Sequence, residues 1–277
     1  MGRAGPLAAG ALASPARGRV AAVHRRAAIL ELEGGPLVVL LPESAPLHPW
    51  ALTAALTLRP VAEGAEFRVT CGALHIGAER VPLDGARVAD LRIRNRPARP
   101  DPAPLPLLEP AAPGDPFEPA LGEALATFAA GAEVEALGAL VGLGAGLTPS
   151  GDDVLVGILA ALDWGRDLQP GAAAIRRRLI AALPAPLGAR TPRLSAQLLR
   201  AAADGLYAEP ILDLLDTMTL DETASEHAGR AIQVLLEVGH RSGADTLRGI
   251  AAALARLGLA GAGPAAAAGF PRPPPAG

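Results

Sequence analysis

The sequence predicts an α+β protein in which a small β-barrel-like N-terminal domain is followed by a mostly α-helical C-terminal domain. Short alternating apolar and polar segments with turn signals between them fill residues 19–95. A proline-dense stretch occupies 96–119, and apolar residues recur at helical spacing over 120–258. We therefore expect a β domain, a Pro-rich linker and a helical domain in that order, with disordered tails at 1–18 and 259–277.

The β region shows its strands as an alternation with a period of two residues. Residues 28–33 alternate, a Gly-Gly turn signal follows, and 36–41 form an apolar run. Further alternation occurs at 66–70 and at 88–93. Short strands joined by turns favour a small barrel or a curled sheet.

The helical region opens with Leu121, Leu125 and Phe128, which share one face of a helix. The same spacing continues at 134–141. Six later helices are predicted at 154–164, 172–183, 192–203, 211–218, 222–238 and 244–257.

Composition narrows the classes of function. The 25 basic residues are all arginine, which excludes a Schiff-base lysine and the lysine of a phosphate-binding P-loop. Cys71 is the single cysteine, which excludes an internal disulfide and a multi-cysteine zinc site. A net charge of −3 predicts no nucleic-acid partner. The apolar run near the N-terminus is weak for a signal peptide and no segment predicts a membrane span, so we expect a cytoplasmic protein.

The most unusual segment runs Gly142-Leu-Gly-Ala-Gly-Leu-Thr-Pro-Ser-Gly-Asp-Asp153 and leads directly into an apolar helix. Its glycines permit positive φ angles and a close approach of the backbone to a ligand. The N-terminus of the following helix presents free N–H groups and the positive end of the helix dipole. In principle this is an anion site, although its spacing matches neither the Rossmann nor the P-loop pattern.

Residues 150–162 align without gaps on 242–254, with nine of thirteen positions identical. One interpretation is purely structural: each serine caps a helix and the aspartate three residues later completes a capping box. On that interpretation the glycine seven residues after each serine only permits close helix packing. The alternative is that the two helices cross at these glycines and bring both N-termini into one pocket.

The pocket hypothesis rests on features that a cap does not need, namely three upstream glycines, a second carboxylate and a nearby histidine. It predicts as catalytic residues Asp152, Asp153, His240 and Asp245. It predicts as substrate-binding residues Gly144, Gly146, Thr148, Ser150, Gly151, Thr191, Ser242 and Gly243.

The charges of this predicted pocket oppose one another, because helix dipoles favour an anion while three carboxylates repel it. Two arrangements resolve the conflict. The carboxylates hold a cation such as Mg²⁺ that bridges to an anionic ligand, or they bind the NH₂ of an amide or ureido group while backbone donors take a carboxylate or phosphate.

A third candidate segment is Arg190-Thr-Pro-Arg-Leu-Ser195. Thr191 is predicted to cap a helix that has Pro192 in its first turn. Arg190 and Arg193 are either surface residues or a pair that binds an anion.

The glycine-rich string resembles the family of AllH, a subunit of bacterial oxamate carbamoyltransferase. The resemblance extends to Thr191…Ser195, Gly205 and Gly239-His-x-Ser-Gly-x-Asp245, and spans about residues 20–257. Ala145 and Arg241 depart from the proline and threonine usual in the family. Arg241 adds a cation beside the predicted pocket and indicates that the substrate differs from oxamate.

The resemblance implies a subunit that acts with two partners, one of them similar to the succinyl-CoA synthetase α chain. That complex converts oxalurate and phosphate to oxamate and carbamoyl phosphate in allantoin and purine catabolism. Phosphate or carbamoyl phosphate is then the expected ligand. Two other hypotheses stay open: a non-catalytic partner subunit, and a stand-alone metal-dependent amide hydrolase.

Overall fold

A computed structural model describes residues 2–55, 61–94, 116–218 and 224–259. The predicted α+β class is confirmed: a curled, half-barrel sheet of nine strands precedes a mostly helical region. The predicted C-terminal tail from 260 onwards and most of the predicted linker lie outside the described residues. The division into separate domains stays a prediction.

The strands of the sheet are β1 Arg3–Ala4, β2 Ala16–His24, β3 Ala27–Leu32, β4 Leu37–Pro42, β5 Ala51–Ala54, β6 Glu66–Thr70, β7 Ala73–Ile76, β8 Glu79–Pro82 and β9 Arg87–Val88. Their order in the sheet is β8-β7-β6-β2-β3-β4-β5-β1-β9. Neighbouring strands are antiparallel except in the pairs β4–β5 and β1–β9. Apolar side chains of the strands, among them Leu30, Leu40 and Leu74, are buried in one cluster.

The first eighteen residues correct the prediction of a disordered tail, because the structure orders residues 2–18. Strand β1 pairs with both β5 and β9, and helix α1 follows at Pro6–Ala11. Ala8 and Leu12 are buried against the sheet. The alanine-rich composition suggested disorder, but small apolar side chains fit closely against a curved sheet.

Residues 88–93 also differ from their predicted strand, since β9 ends at Val88. Leu91 and Ile93 are nevertheless buried. The Leu91 carbonyl accepts a 2.9 Å hydrogen bond from the backbone N–H of Tyr207 in the helical region. The alternation of residues 88–93 therefore reflects an extended segment that packs against both the sheet and the helices without pairing into the sheet beyond Val88.

The structure confirms the helix predicted around Leu121 and the six predicted after it, to within a few residues. The seven helices are α2 Glu118–Ala129, α3 Ser150–Trp164, α4 Pro170–Ala182, α5 Arg193–Ala203, α6 Glu209–Thr217, α7 Ala224–Leu236 and α8 Ser242–Arg256. Residues Val134–Leu140 form a 3₁₀-helix. Within the described ranges, no helix combines the length and the apolar character that crossing a membrane requires.

Helix α3 is the centre of the helical region, and α8 packs closely against it. A Cβ atom built on Gly157 would lie 2.0 Å from the carbonyl oxygen of Thr246, and one on Gly249 would lie 2.1 Å from that of Val154. These four residues are equivalent in pairs in the sequence repeat. The predicted crossing at the two glycines is therefore confirmed, and it relates α3 to α8 by an approximate two-fold axis.

Sheet and helices are joined through α5 and the segment after it. The Gln197 side chain accepts a 2.8 Å hydrogen bond from the N–H of Leu37 and donates one of 3.0 Å to its carbonyl. Arg193 pairs with Glu31 and donates to the Gly35 carbonyl at 2.9 Å. Arg193 thus helps to connect the sheet to the helices. These contacts explain its position without a bound anion.

We predict that Gly157→Ala destabilises the protein by about 3 kcal/mol, because the added methyl group forces apart two backbones in contact. The matched control is Gly229→Ala in α7, where no neighbouring atom lies within 4 Å of the added Cβ. Replacing this helical glycine with alanine is expected to raise the free energy of unfolding by about 0.5 to 1 kcal/mol. Urea unfolding of the two variants measures both effects, and similar midpoints would contradict the proposed close crossing.

Candidate functional site

The two serine motifs do not form the predicted capping boxes. Helix α3 begins at Ser150 after Pro149, α8 begins at Ser242 after Arg241, and neither helix has a side-chain cap. The polar groups are exchanged between the helices instead. Ser242 lies near Asp153 and Ser150 lies near Asp245, and each serine hydroxyl lowers the pKa of the aspartate of the other helix. We call these two contacts the crossed Ser–Asp pairs.

The crossed Ser–Asp pairs are equivalent in sequence but differ in charge. Asp245 lies beside two arginines, with Arg248 Nη1 at 3.5 Å and Arg241 Nε at 3.8 Å from its oxygens. Asp153 instead faces hydroxyls: Thr148 joins Ser242 beside it, and the two hydroxyl oxygens are 2.8 Å apart. One carboxyl therefore belongs to an ion-pair cluster, and the other belongs to an uncharged polar group.

Thr148, Asp153 and Ser242 line a cavity of about 260 Å³ between the sheet and the helices, which we call the seam cavity. Thr246 and Tyr207 also line it. The rest of the lining is Val39, Pro46, Leu47, His48, Pro49, Val156, Leu194, Leu198, Leu206, Ala208, Pro210, Ile211, Leu235, Val238 and Gly239. The wall is thus largely apolar, with its polar groups concentrated at the N-termini of α3 and α8.

Burial raises the pKa of Asp153 to about 8, and the nearby carboxylates of Asp245 and Asp152 also raise it. Hydrogen bonds from Ser242 and Thr148 oppose this shift only in part. Burial lowers the pKa of His48 to about 4. At pH 7 the seam cavity therefore presents mainly a neutral carboxylic acid, two hydroxyls and a neutral imidazole.

The glycine-rich loop has the positive φ angles that the sequence predicts, with φ of 80° at Gly142 and 122° at Gly144. A Cβ atom on Gly142 would lie 2.0 Å from the carbonyl oxygen of Arg190. The glycines therefore let the loop pack against the chain itself. Gly146 is exposed at the loop's tip.

Asp152 holds the glycine-rich loop in place through hydrogen bonds. Its Oδ1 accepts a 2.9 Å hydrogen bond from the Gly142 N–H, and its Oδ2 accepts hydrogen bonds from the hydroxyls of Thr191 and, at 2.5 Å, Ser195. Thr191 is thus not the cap of α5, which begins at Arg193 after Pro192. Asp152 is 1% exposed and does not line the seam cavity. We assign it a positioning role.

The backbone donors expected for an anion are largely occupied. In α3 the N–H of Gly151 bonds to the Leu143 carbonyl at 2.8 Å, and the N–H groups of Asp152 and Asp153 bond to the Pro149 carbonyl. In α8 the N–H of Gly243 bonds to the Val238 carbonyl at 3.1 Å. These local bonds use donors of the first turn of α3, and one at the start of α8, that would otherwise be free to bind an anion.

The remaining predicted residues do not converge on the seam cavity. His240 is exposed in the turn before α8, and Asp245, Ser150, Gly144 and Gly243 are absent from the cavity lining. Within the described residues, no three His, Cys, Asp or Glu side chains form a group suited to a metal ion. The described residues do not fit the Mg²⁺ arrangement.

Sequence reasoning missed the contribution of the β region to the cavity. His48 lines the wall together with Val39 and Leu47, and nothing in its sequence context points to a cavity. The run Pro46-Leu-His-Pro49 holds two prolines between two strands, a pattern typical of a rigid connection. That signal marks a fixed loop but says nothing about which cavity the loop borders.

We predict that Asp152→Ala destabilises the chain by about 3 kcal/mol, because two buried hydroxyls and the N–H of Gly142 lose their acceptor. Urea unfolding is the measurement, with Asp204→Asn at an exposed position as the control. Unchanged stability combined with lost activity would contradict the positioning role and restore a chemical one.

The raised pKa of Asp153 predicts a pH dependence of stability. The Asp153 carboxyl binds its proton more tightly in the folded chain than in the unfolded chain. Between about pH 4 and pH 8 the unfolded state therefore carries fewer protons than the folded state. Stability therefore falls as pH rises through this window, and Asp153→Asn is expected to remove much of the fall. A wild-type slope retained in Asp153→Asn would assign the dependence to other groups.

Comparison with known proteins identifies a family match over part of the chain. No solved structure matches the chain. A family model described as oxamate carbamoyltransferase subunit AllH matches residues 140–254. The match covers the glycine-rich loop, Asp152 and both crossed Ser–Asp pairs. The resemblance seen in the motifs is confirmed over residues 140–254, where this chain matches the family of the oxamate carbamoyltransferase subunit AllH.

Proposed function

We propose that this chain is a subunit of a carbamoyltransferase-type complex and that its seam cavity holds the carbamoyl group of a ureido substrate. The observation that carries the proposal is the uncharged polar cluster of Thr148, Asp153 and Ser242 at one end of the seam cavity. All three residues lie within the region that matches the family.

The chemistry of this cluster suits a ureido group. A protonated carboxyl donates one hydrogen bond through its O–H and accepts another at its carbonyl oxygen. A ureido group offers the complementary pair, a carbonyl acceptor and an NH₂ donor. Of the two arrangements predicted for the carboxylates, this supports the one in which a carboxyl binds the NH₂ of an amide or ureido group.

In the proposed reaction an oxygen of inorganic phosphate forms a bond to the carbamoyl carbon, and the bond from that carbon to the substituted nitrogen breaks. The leaving nitrogen gains a proton that hydrogen phosphate gives up, so the products are carbamoyl phosphate and either an amide, from an acylurea, or an amine, from an alkylurea. Asp153 donates a hydrogen bond to the carbamoyl oxygen, where negative charge develops. Thr148 and Ser242 orient the carboxyl.

The phosphate is proposed to bind on a partner subunit, because no arginine lines the part of the seam cavity that the structure describes. The family's name denotes a subunit, which implies a hetero-complex. We propose a partner similar to the succinyl-CoA synthetase α chain, and a place for the complex in allantoin and purine catabolism in the cytoplasm.

We predict that Asp153→Ala and Ser242→Ala each lower kcat/KM for carbamoyl phosphate formation by about 10²-fold in the assembled complex, because the first removes the hydrogen bond to the carbamoyl oxygen and the second removes a hydroxyl that orients the carboxyl. The complex is isolated from the native host through a tag on this chain, and its co-eluting subunits are identified. Thr127→Val, at an exposed position on α2, is the control and is expected to keep full activity.

The pH profile gives an independent check. Wild-type kcat/KM is expected to fall as pH rises through about 8, where Asp153 loses its proton, and Asp153→Asn is expected to lack that step. Full activity of Asp153→Ala and Ser242→Ala would indicate a non-catalytic partner subunit. Activity of the isolated chain on a simple amide, lost on adding a chelator, would indicate the stand-alone hydrolase.

A further inference from the structure

The wall of the seam cavity is more apolar than a site for a very small polar acid requires. Beyond Thr148, Asp153 and Ser242, the described wall consists mostly of aliphatic side chains and prolines from both the sheet and the helices. The helical side of this apolar wall includes Val156 on α3, Leu194 and Leu198 on α5, and Ile211 on α6. A small dianion in this space would lose its hydration without gaining a counter-charge.

The size of the cavity is informative as well. Its volume of about 260 Å³ lies just below the range of about 300 to 1,000 Å³ that is typical of small-molecule sites. A metabolite with a short branched chain fills such a space, whereas urea alone leaves most of the apolar wall uncovered.

We infer that the seam cavity binds a neutral primary amide or monosubstituted urea that carries a branched aliphatic group. The inference rests on the proposed function, because it names the class of ureido substrate for the same site. The head group pairs with the Asp153 carboxyl and the adjacent hydroxyls, and the aliphatic group packs on the leucine and valine side chains. A ligand with a carboxylate in place of the amide is rejected, since the wall offers it no positive charge.

The discriminating feature is the contrast between the two crossed Ser–Asp pairs. Burial raises the pKa of Asp245 as well, but the guanidinium groups of Arg241 and Arg248 lie beside this carboxyl and oppose the shift. The largest influences on the pKa of Asp153 are instead burial, the hydroxyls of Ser242 and Thr148, and the carboxylates of Asp245 and Asp152. A neutral ligand head therefore fits the Asp153 side, where burial already favours the uncharged carboxyl.

Titration calorimetry of the full chain at pH 7 tests this inference with matched probes. Isobutylurea and isovaleramide are expected to bind at least about tenfold more tightly than urea, because they bury the branched group. Isovalerate, which has the same body with a carboxylate head, and oxalurate, which lacks the body, are expected to bind at least about tenfold more weakly than isovaleramide. Equal or tighter binding of either anion overturns the inference, as does no binding of isobutylurea.

A cavity-filling variant locates the aliphatic part of the site. Val156→Phe is expected to weaken isobutylurea binding by about tenfold or more, because the ring occupies the space of the branched group. Val234→Phe is the matched control, since Val234 is 44% exposed and lies outside the cavity lining. Equal loss in both variants overturns the placement. Leu198→Phe repeats the test from α5 if Val156→Phe unfolds at a lower temperature than wild type.

The complex separates this inference from the proposed function. Carbamoyl phosphate formed from oxalurate, together with no binding of isobutylurea, overturns the inference and leaves the proposed function standing. Tight binding of isobutylurea by the chain, with no carbamoyl phosphate formed from any ureido compound, supports the ligand class and overturns the proposed function.

Discussion

The contact between α3 and α8 at Gly157 and Gly249 is the constraint on which the site depends. Backbone meets backbone there, and this approach sets the N-termini of the two helices side by side. Only then does each serine reach the aspartate of the other helix. The wall of the seam cavity formed by Thr148, Asp153 and Ser242 exists because two glycines leave no side chain between the helices.

The approximate two-fold symmetry of this contact does not extend to the charges around it, and the two aspartates of the motif therefore have different surroundings. Arg241 and Arg248 surround Asp245 and connect α8 to Glu118 of α2, which holds the helices together. Asp153 lies at a cavity and has a pKa raised to about 8 by burial. One copy of the motif thus supports the fold, while the other offers a proton and a hydrogen-bonding surface.

The fold class, the strands around 28–41 and most helices were predictable, because periodicity and turn residues are local properties of the sequence. The crossing at Gly157 and Gly249 was predictable because a repeated motif placed a glycine at the same offset twice. The exchange of serines and aspartates was not, since a capping box and a crossed pair use the same residues at the same spacing. Asp152 and His48 show the same limit: whether a polar residue holds a loop or lines a cavity depends on contacts distant in sequence. Asp152 meets Thr191 and Ser195 across some forty residues of chain.

The seam between sheet and helices has one more consequence, which concerns thermodynamic linkage. Val39 and Leu47 come from one side of the cavity, Leu194 and Val156 from the other, and Gln197 joins the two sides through Leu37. Any molecule held there contacts both layers at once, so its binding free energy adds to the cohesion of the sheet with the helices. Ligand binding and the packing of the sheet against the helices then stabilise each other. A partner subunit that stabilises this packing also raises the affinity for the ligand.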